Sequence, residues 1–464
     1  MLNFRKMTVR NFLFLFFLFL VLIISLFFLN IIYNPLISTI LFSLFFIITF
    51  IYLAKKNYIY AFYYFFLFVY TIGTQIAYLY YPTKLALING KQYFGLSAYF
   101  PYLFFVFLSF ILIFLFFFFF IKIESKRDFF RIDSYRKKIG FLFPLIIILH
   151  NLIMIYFLSS SYSVLSYHTA TSVLKANKIF FYGFFFYQIT LLALYVKITK
   201  FSKNLRERLF YSILSIISFL VFIIITIKAG QKIEIASFFL GFLSYNLISY
   251  KEKLLKNKRI ILALISLFIL IGLFFVVIDN LRYSELDVKE FFKIALGSPD
   301  EFVKVLFNPE NILFFDYTGP SLLLLTSIHE HIVIPLEVLK SNFYNTLIFQ
   351  GYPILGYTLS RIIDPYGKIN YGYYFLSEGY NFAGWLGILY NGIIFTFGLF
   401  IWNKFRKSNN LIFNNFMTAI IAMHVFDIIR AQSSFFVKGI YISFIPAIII
   451  YLIISNSKIK IGKK

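Results

Sequence analysis

Uncharged apolar runs of about 20 residues recur along this chain, and they leave few folds open to it. A helix of that length crosses the hydrocarbon core of a bilayer, and in lipid only helices and closed barrels satisfy every backbone hydrogen bond. Barrel strands alternate apolar and polar residues, whereas these runs are continuous. With 61% hydrophobic and 14% charged residues among 464, the chain has too little polar surface for a soluble protein. The sequence therefore predicts an all-α, polytopic membrane protein.

The apolar runs predict about 12 transmembrane helices. They fall at roughly 11–29, 35–54, 58–80, 99–121, 140–158, 179–197, 209–227, 234–249, 260–278, 384–402, 411–429 and 436–455. The first run has no small-residue cleavage site after it, so we interpret it as a retained helix rather than a signal peptide. The predicted organisation is helices 1 to 9 within 1–278, one large extracytoplasmic loop at 279–383, and helices 10 to 12 with a basic cytoplasmic tail within 384–464.

Basic residues set the predicted orientation. Most of the 44 Lys and Arg residues lie in short segments, such as "SKRDFFRIDSYRKK" and "KEKLLKNKR", that share one side of the membrane in a twelve-helix topology. Cytoplasmic loops carry this excess. The prediction is a multi-pass protein of the cytoplasmic membrane with both termini in the cytoplasm. The net charge of +25 then follows from topology, with help from anionic lipid headgroups, and does not indicate nucleic-acid binding.

The predicted loop at 279–383 is much longer than the others and holds more acidic than basic residues. It contains His329 and His331 in "SIHEHIVIP". Residues two apart diverge on a helix and no third ligand is evident, so no metal site is predicted. Either histidine is a candidate general base, or simply a solvated loop residue. The chain has no Cys, so packing rather than disulfides must hold this loop.

Five basic residues lie at the predicted outer boundary of the membrane, at the depth of a lipid-linked pyrophosphate. Cations there suit an anionic substrate. Each one could instead anchor its helix at the interface or pair with a nearby acid. The five are Lys228, Lys232, Arg282, Arg361 and Arg430.

A carboxylate and several glycines stand at the predicted start of the tenth helix, in "LSEGYNFAGWLG". Glu378 is a candidate general base, or a group that orients a cation. Tyr380 and Asn381 are candidate hydrogen-bond partners for a sugar. The glycines, Gly384 among them, predict close approach of neighbouring helices.

Three segments, "KAGQKIEIASFFLGFLSYN", "DNLRYSE" and "SEGYNFAGWLG", are similar to local patterns of the bacterial oligosaccharide repeat-unit polymerases (O-antigen polymerase, Wzy type). The overall architecture resembles that family over most of the chain. Two departures matter. Lys232 stands where the family usually has Arg, and a lysine does not bind phosphate in bidentate fashion. Ala383 interrupts the Asn-Phe-Gly run of the third pattern.

The resemblance implies a glycosyltransferase that needs no nucleotide sugar and no cofactor. Such an enzyme transfers a growing glycan from undecaprenyl pyrophosphate to a sugar hydroxyl of a new lipid-linked repeat unit, at the outer face of the cytoplasmic membrane. Its partners would be the lipid-linked oligosaccharides, membrane lipid, a chain-length regulator and a flippase. The chemistry requires cations for the leaving pyrophosphate and a base for the acceptor hydroxyl.

Three other functions stay open. A lipid-linked glycan ligase differs only in its acceptor. A dolichol-phosphate type glycosyltransferase would carry acidic residues in the first outer loop, and "NIIYNP" has none. A polysaccharide flippase or transporter does not require so large an outer loop, and the predicted helices hold few ionisable residues for ion coupling, mostly near their ends. Those residues are His150, Glu234, His424, Asp427, Arg430 and Lys438.

Overall fold

The computed structural model describes residues 35–65, 67–68, 87–88, 91–92, 96–123, 130–134, 140–160, 178–229, 232–256, 375–430, 439 and 443–461. This part of the chain is 90% helical, which confirms the all-α class. The predicted helices at 11–29 and 260–278 lie outside the described residues. So does the predicted loop from 279 to 374.

Apolar runs form the helices, because a helix pairs its own backbone groups and needs no partner segment to do so. The described helices are α1 (Pro35–Lys56), α2 (58–65), α3 (Leu96–Ile123), α4 (Leu142–Ser160), α5 (Lys178–Val196), α6 (Leu205–Ala229), α7 (Lys232–Lys256), α8 (Phe375–Phe405), α9 (Leu411–Arg430) and α10 (Ile445–Ser455). Helix α5 continues into a single π-helical turn at Lys197–Phe201. Helix α8 begins at Phe375, inside the predicted loop, so the last residues of that loop are helical.

Two short sheets accompany the helices, and the sequence analysis predicts neither. Strands β1 (Leu87–Ile88) and β2 (Lys91–Gln92) form a small antiparallel pair. Strands β3 (Phe130–Ser134) and β4 (Ser457–Ile461) also pair antiparallel, although they lie far apart in the chain.

Three described helices contain a stretch long and apolar enough to cross a membrane, as judged by length and composition: Thr39–Lys56, Leu205–Thr226 and Leu386–Phe405. Shorter apolar stretches occupy α3, α4, α7, α9 and α10. The described part therefore fits a membrane protein, and the count of twelve helices stays a prediction.

The outer faces of α4 and α6 are apolar, as expected where lipid rather than water is the solvent. Large exposed aliphatic or aromatic side chains follow one another along both helices. On α4 and α6 they are Leu145, Ile148, Leu149, Leu152, Ile153, Ile155, Leu209, Phe210, Ile213, Ile216, Ile217, Leu220 and Ile224.

Pairs of contacts fix the relative directions of the helices. Phe42 meets Phe107 and Tyr52 meets Phe118, so α1 and α3 run parallel. Contacts between Phe143 and Tyr211 and between Asn151 and Ser218 show that α4 and α6 also run parallel.

Helix α8 runs parallel to α3, whereas α9 runs antiparallel to α7. Gly392 faces Ser109, and Phe120 stacks on Phe400 with ring centroids 4.2 Å apart, which sets the direction of the first pair. Gly241 faces Met423 and the Asn415 amide donates to Ser249, which sets the direction of the second. All four relations agree with the alternation of helix directions that the sequence predicts.

Candidate functional site

One end of the described bundle collects basic residues from several helices. The parallel helices α1, α3 and α8 all end there, with Lys55, Lys56, Lys122 and Lys404 in their last turns. Helix α6 begins there with Arg206 and Arg208. The positive-inside rule predicts that this end faces the cytoplasm. We call it the basic end.

An ion pair between a buried lysine and a partly exposed glutamate lies at the basic end, and the sequence analysis does not single it out. The Lys197 Nζ atom, in the π-helical turn, lies 2.9 Å from Glu207 Oε1 at the start of α6. The same ammonium group lies 5.4 Å from the ring centroid of Tyr211. The pair ties the π-helical turn to α6.

The opposite end of the bundle holds the sequence-predicted site residues that the structure describes. Because α7 and α9 are antiparallel, Lys232 at the first position of α7 and Arg430 at the last position of α9 share this end. Lys228 joins them, one residue before the end of α6 at Ala229. We call this the Lys232–Arg430 end. The side chains of these three residues lie outside the described part.

Glu378, Tyr380 and Asn381 also lie at the Lys232–Arg430 end, in the first turns of α8. Helical spacing places Glu378 and Asn381 on one face of α8, because residues three apart are neighbours on a helix surface, and places Tyr380 on another. Their side chains lie outside the described part. A helical position for Glu378 holds its backbone more rigidly than a loop would.

Four other predicted site residues, His329, His331, Arg282 and Arg361, lie outside the described residues. Their roles stay predictions. Within the described residues, no group of three His, Cys, Asp or Glu side chains could hold a metal ion.

The closest helix approach at a described glycine occurs at Gly241, which the sequence analysis does not single out. A Cβ atom added there would lie 2.3 Å from Met423 Cγ and 3.1 Å from the Ala419 carbonyl oxygen. At Gly392 an added Cβ atom would make only ordinary contacts, 3.6 Å from Ile113 and Ser109. Gly241 therefore permits the close packing of α7 on α9, which brings Lys232 and Arg430 to one end.

Two of the ionisable residues of the predicted helices, both histidines, pack between helices of the bundle. His150 stands midway along α4, with its ring centroid 4.3 Å from that of Tyr187. His424 is 4% exposed, and its ring packs between Phe185 and Trp402 at centroid distances of 5.9 and 6.0 Å. The signal in the sequence is a lone polar residue within an apolar run.

A polar cluster lies beside His150 and joins α4, α5 and α6. The Asn151 amide donates to Ser218 Oγ at 2.9 Å, and the Tyr187 hydroxyl donates to Asn151 Oδ1. All three residues are buried, with exposures of 6% or less. The hydrogen bonds offset the cost of burying these polar groups in an apolar interior.

No protein-family model, curated protein or solved structure matches the chain. The chemistry of the Lys232–Arg430 end thus has to be inferred from its own residues.

Proposed function

We propose that this protein is a membrane glycosyltransferase that joins lipid-pyrophosphate-linked oligosaccharide repeat units into a surface polysaccharide. The reaction takes place at the outer face of the cytoplasmic membrane, on a scaffold of about 12 helices capped by the loop at 279–374. The donor is a glycan on undecaprenyl pyrophosphate, and the acceptor is a sugar hydroxyl of a second lipid-linked unit.

One observation carries the proposal: Lys228, Lys232, Arg430 and Glu378 come from four different helices and lie at the same end of the bundle. That end is opposite to the basic end, so the positive-inside rule assigns it to the outer face. The positive-inside rule accounts for basic residues on the cytoplasmic side of a membrane protein. It does not explain the three basic residues at this end, so they need another role.

Each group has a role in a displacement at an anomeric carbon. The cations stabilise the negative charge that develops on the leaving pyrophosphate, with Arg282 and Arg361 of the loop as further contributors. Glu378 removes the proton of the acceptor hydroxyl, and His329 or His331 is the alternative base. Tyr380 and Asn381 bind the glycan. The bond from the anomeric carbon to the pyrophosphate oxygen breaks as the new glycosidic bond forms.

A second candidate function is a polysaccharide flippase, and the interior histidines favour it. His150 and His424 place protonatable groups within the bundle, where ion-coupled carriers need them. A glycan ligase remains the third candidate, since it shares the donor and differs only in the acceptor.

The decisive experiment is the glycan ladder of cells that produce Glu378→Gln at matched membrane expression. This change keeps the shape of the side chain and removes its charge, so a catalytic carboxylate predicts loss of the ladder with single repeat units still displayed. The matched control is Glu252→Gln, the same change in the last two turns of α7 towards the basic end, which should leave the ladder intact.

Each other outcome has a distinct meaning. A full ladder from Glu378→Gln would remove the catalytic charge from this position. If His150→Leu abolished all surface glycan, single units included, while Glu378→Gln had no effect, the protein would be a flippase. A normal ladder with loss of polymer attachment to its final acceptor would indicate a ligase.

A further inference from the structure

The two-stranded sheet β3–β4 lies at the basic end and has two chemically different faces. Ile132 is 6% exposed and Ile459 packs against the core, and the two are cross-strand partners. Side chains alternate between faces along a strand. Arg131 and Asp133 therefore belong to the opposite face, which turns away from the helices.

The strand register gathers positive charge on that outward face. Lys458 stands opposite Asp133, and Lys460 occupies the register position opposite Arg131. Asp133 is the one acidic residue in either strand, and its Oδ1 atom lies 3.2 Å from Arg131 Nε. The four residues together carry a net charge of +2 by their side-chain types.

Two hydrogen bonds hold this sheet at the ends of the helices. Strand β4 follows α10 after a single residue, Asn456, which has a left-handed conformation with φ of 50°. The Asn456 side-chain oxygen accepts a hydrogen bond of 2.9 Å from the Gly140 amide. Strand β3 is tied to the turn after α8, where the Phe130 amide donates to the Lys407 carbonyl at 3.1 Å. Helix ends lie at the depth of lipid headgroups.

We infer that the outward face of β3–β4 binds the anionic headgroups of phospholipids in the surrounding membrane. The argument is charge complementarity: a net positive surface lies at the level of phosphate groups, and each basic residue near an anionic bilayer surface adds attraction. The inference concerns the basic end and is independent of the proposed reaction at the Lys232–Arg430 end.

The test compares binding of phosphatidylglycerol and phosphatidylcholine to the purified full chain in neutral detergent, by native mass spectrometry. The sheet variant is Arg131→Gln/Lys458→Gln/Lys460→Gln. Each removed charge should weaken binding by about five-fold. The three changes together should therefore weaken phosphatidylglycerol binding on the order of 100-fold and leave phosphatidylcholine binding unchanged. Hydrogen exchange gives a local readout, since phosphatidylglycerol should protect the amides of β3 and β4 in the original chain.

The matched control removes three exposed charges at the same end but outside the sheet, in Lys55→Gln/Lys56→Gln/Lys122→Gln. It should bind phosphatidylglycerol nearly as well as the original chain. An equal loss in both variants would show general attraction to the basic end and overturn the inference.

A gain-of-binding variant separates the inference from simple misfolding. Asp133→Asn removes the acidic residue of the face and should tighten phosphatidylglycerol binding by about five-fold. Unchanged or weaker binding would contradict the inference. The inference would also be contradicted if soluble glycerophosphoglycerol saturated the protein at the same concentration as phosphatidylglycerol does. The ligand would then be a free anion rather than a lipid headgroup in a membrane.

Discussion

Replacing Gly241 and Gly392 by Ala tests the packing of the bundle, because the same substitution should have opposite effects at the two positions. Both glycines lie inside helices that pack against a neighbour. Alanine stabilises a helix interior by about 1 kcal/mol relative to glycine. At Gly392 the new Cβ atom makes only ordinary contacts at 3.6 Å, so Gly392→Ala should be neutral or stabilising.

At Gly241 the new Cβ atom would overlap Met423, at 2.3 Å from Cγ and 2.4 Å from Cε. Met423 is 1% exposed, so its side chain has little room to move aside, and the Ala419 carbonyl at 3.1 Å is backbone. Overpacking of a buried site costs about 1–3 kcal/mol. The gain in helix propensity offsets part of this cost, so Gly241→Ala should destabilise the protein by about 0–2 kcal/mol. Both variants share the propensity gain, so Gly241→Ala should be less stable than Gly392→Ala by the full overpacking cost.

Thermal unfolding in detergent, followed by size-exclusion chromatography with fluorescence detection, measures the difference. The midpoint of Gly241→Ala should fall below that of Gly392→Ala. Met423→Ala should lose about 2–5 kcal/mol on its own by leaving a cavity. In the double variant the two effects should be less than additive, since the added methyl group enters that cavity. Equal midpoints for the two alanine variants, or strict additivity in the double variant, would refute the close approach of α7 and α9.

Three further predictions concern charge, topology and the buried polar cluster. Arg282→Ala should lower polymer formation by orders of magnitude at normal expression, since a charge-assisted contact to the leaving pyrophosphate is worth about 2–4 kcal/mol; a normal ladder would move that role to other cations. Reporter fusions after Arg208 and Lys407 should be cytoplasmic and a fusion near Asp316 external; a cytoplasmic signal at Asp316 would end the proposed mechanism. Tyr187→Phe should lower the unfolding midpoint by leaving a buried amide oxygen short of a donor, a cost of about 1–3 kcal/mol; an unchanged midpoint would show that this hydrogen bond adds nothing to stability.

Much of the secondary structure follows from the sequence alone. The predicted run at 35–54 corresponds to α1 (Pro35–Lys56), and the run at 411–429 to α9 (Leu411–Arg430). The reason is local: in lipid a backbone must pair its own polar groups, so an uncharged run of sufficient length has no alternative to a helix. The order of basic residues along the chain likewise predicts helix directions that the described packing shares.

Other features could not be predicted because they depend on contacts distant in sequence. The start of α8 at Phe375 lies in a polar segment whose composition is typical of a loop. Strands β3 and β4 consist of mixed polar and apolar residues, and they pair with each other across more than 300 positions of the chain. Contacts that are also distant in sequence, from Phe130 to Lys407 and from Gly140 to Asn456, hold the two segments at the same place. A strand cannot pair its backbone groups within itself, so its existence depends on a partner that local sequence does not identify.

For the candidate site too, the sequence predicts one part and the packing of the helices determines the other. The residue types at positions 228, 232, 378 and 430 are visible in the sequence, and hydropathy alone places them near helix ends. Their meeting at one end depends on how α6, α7, α8 and α9 pack, and for α7 and α9 that packing depends on Gly241 against Met423. Hydropathy determined that this protein is helical and suited to a membrane. Side-chain volume at the helix contacts, which becomes specific only when two surfaces meet, decided which helices are neighbours and which charges share an end.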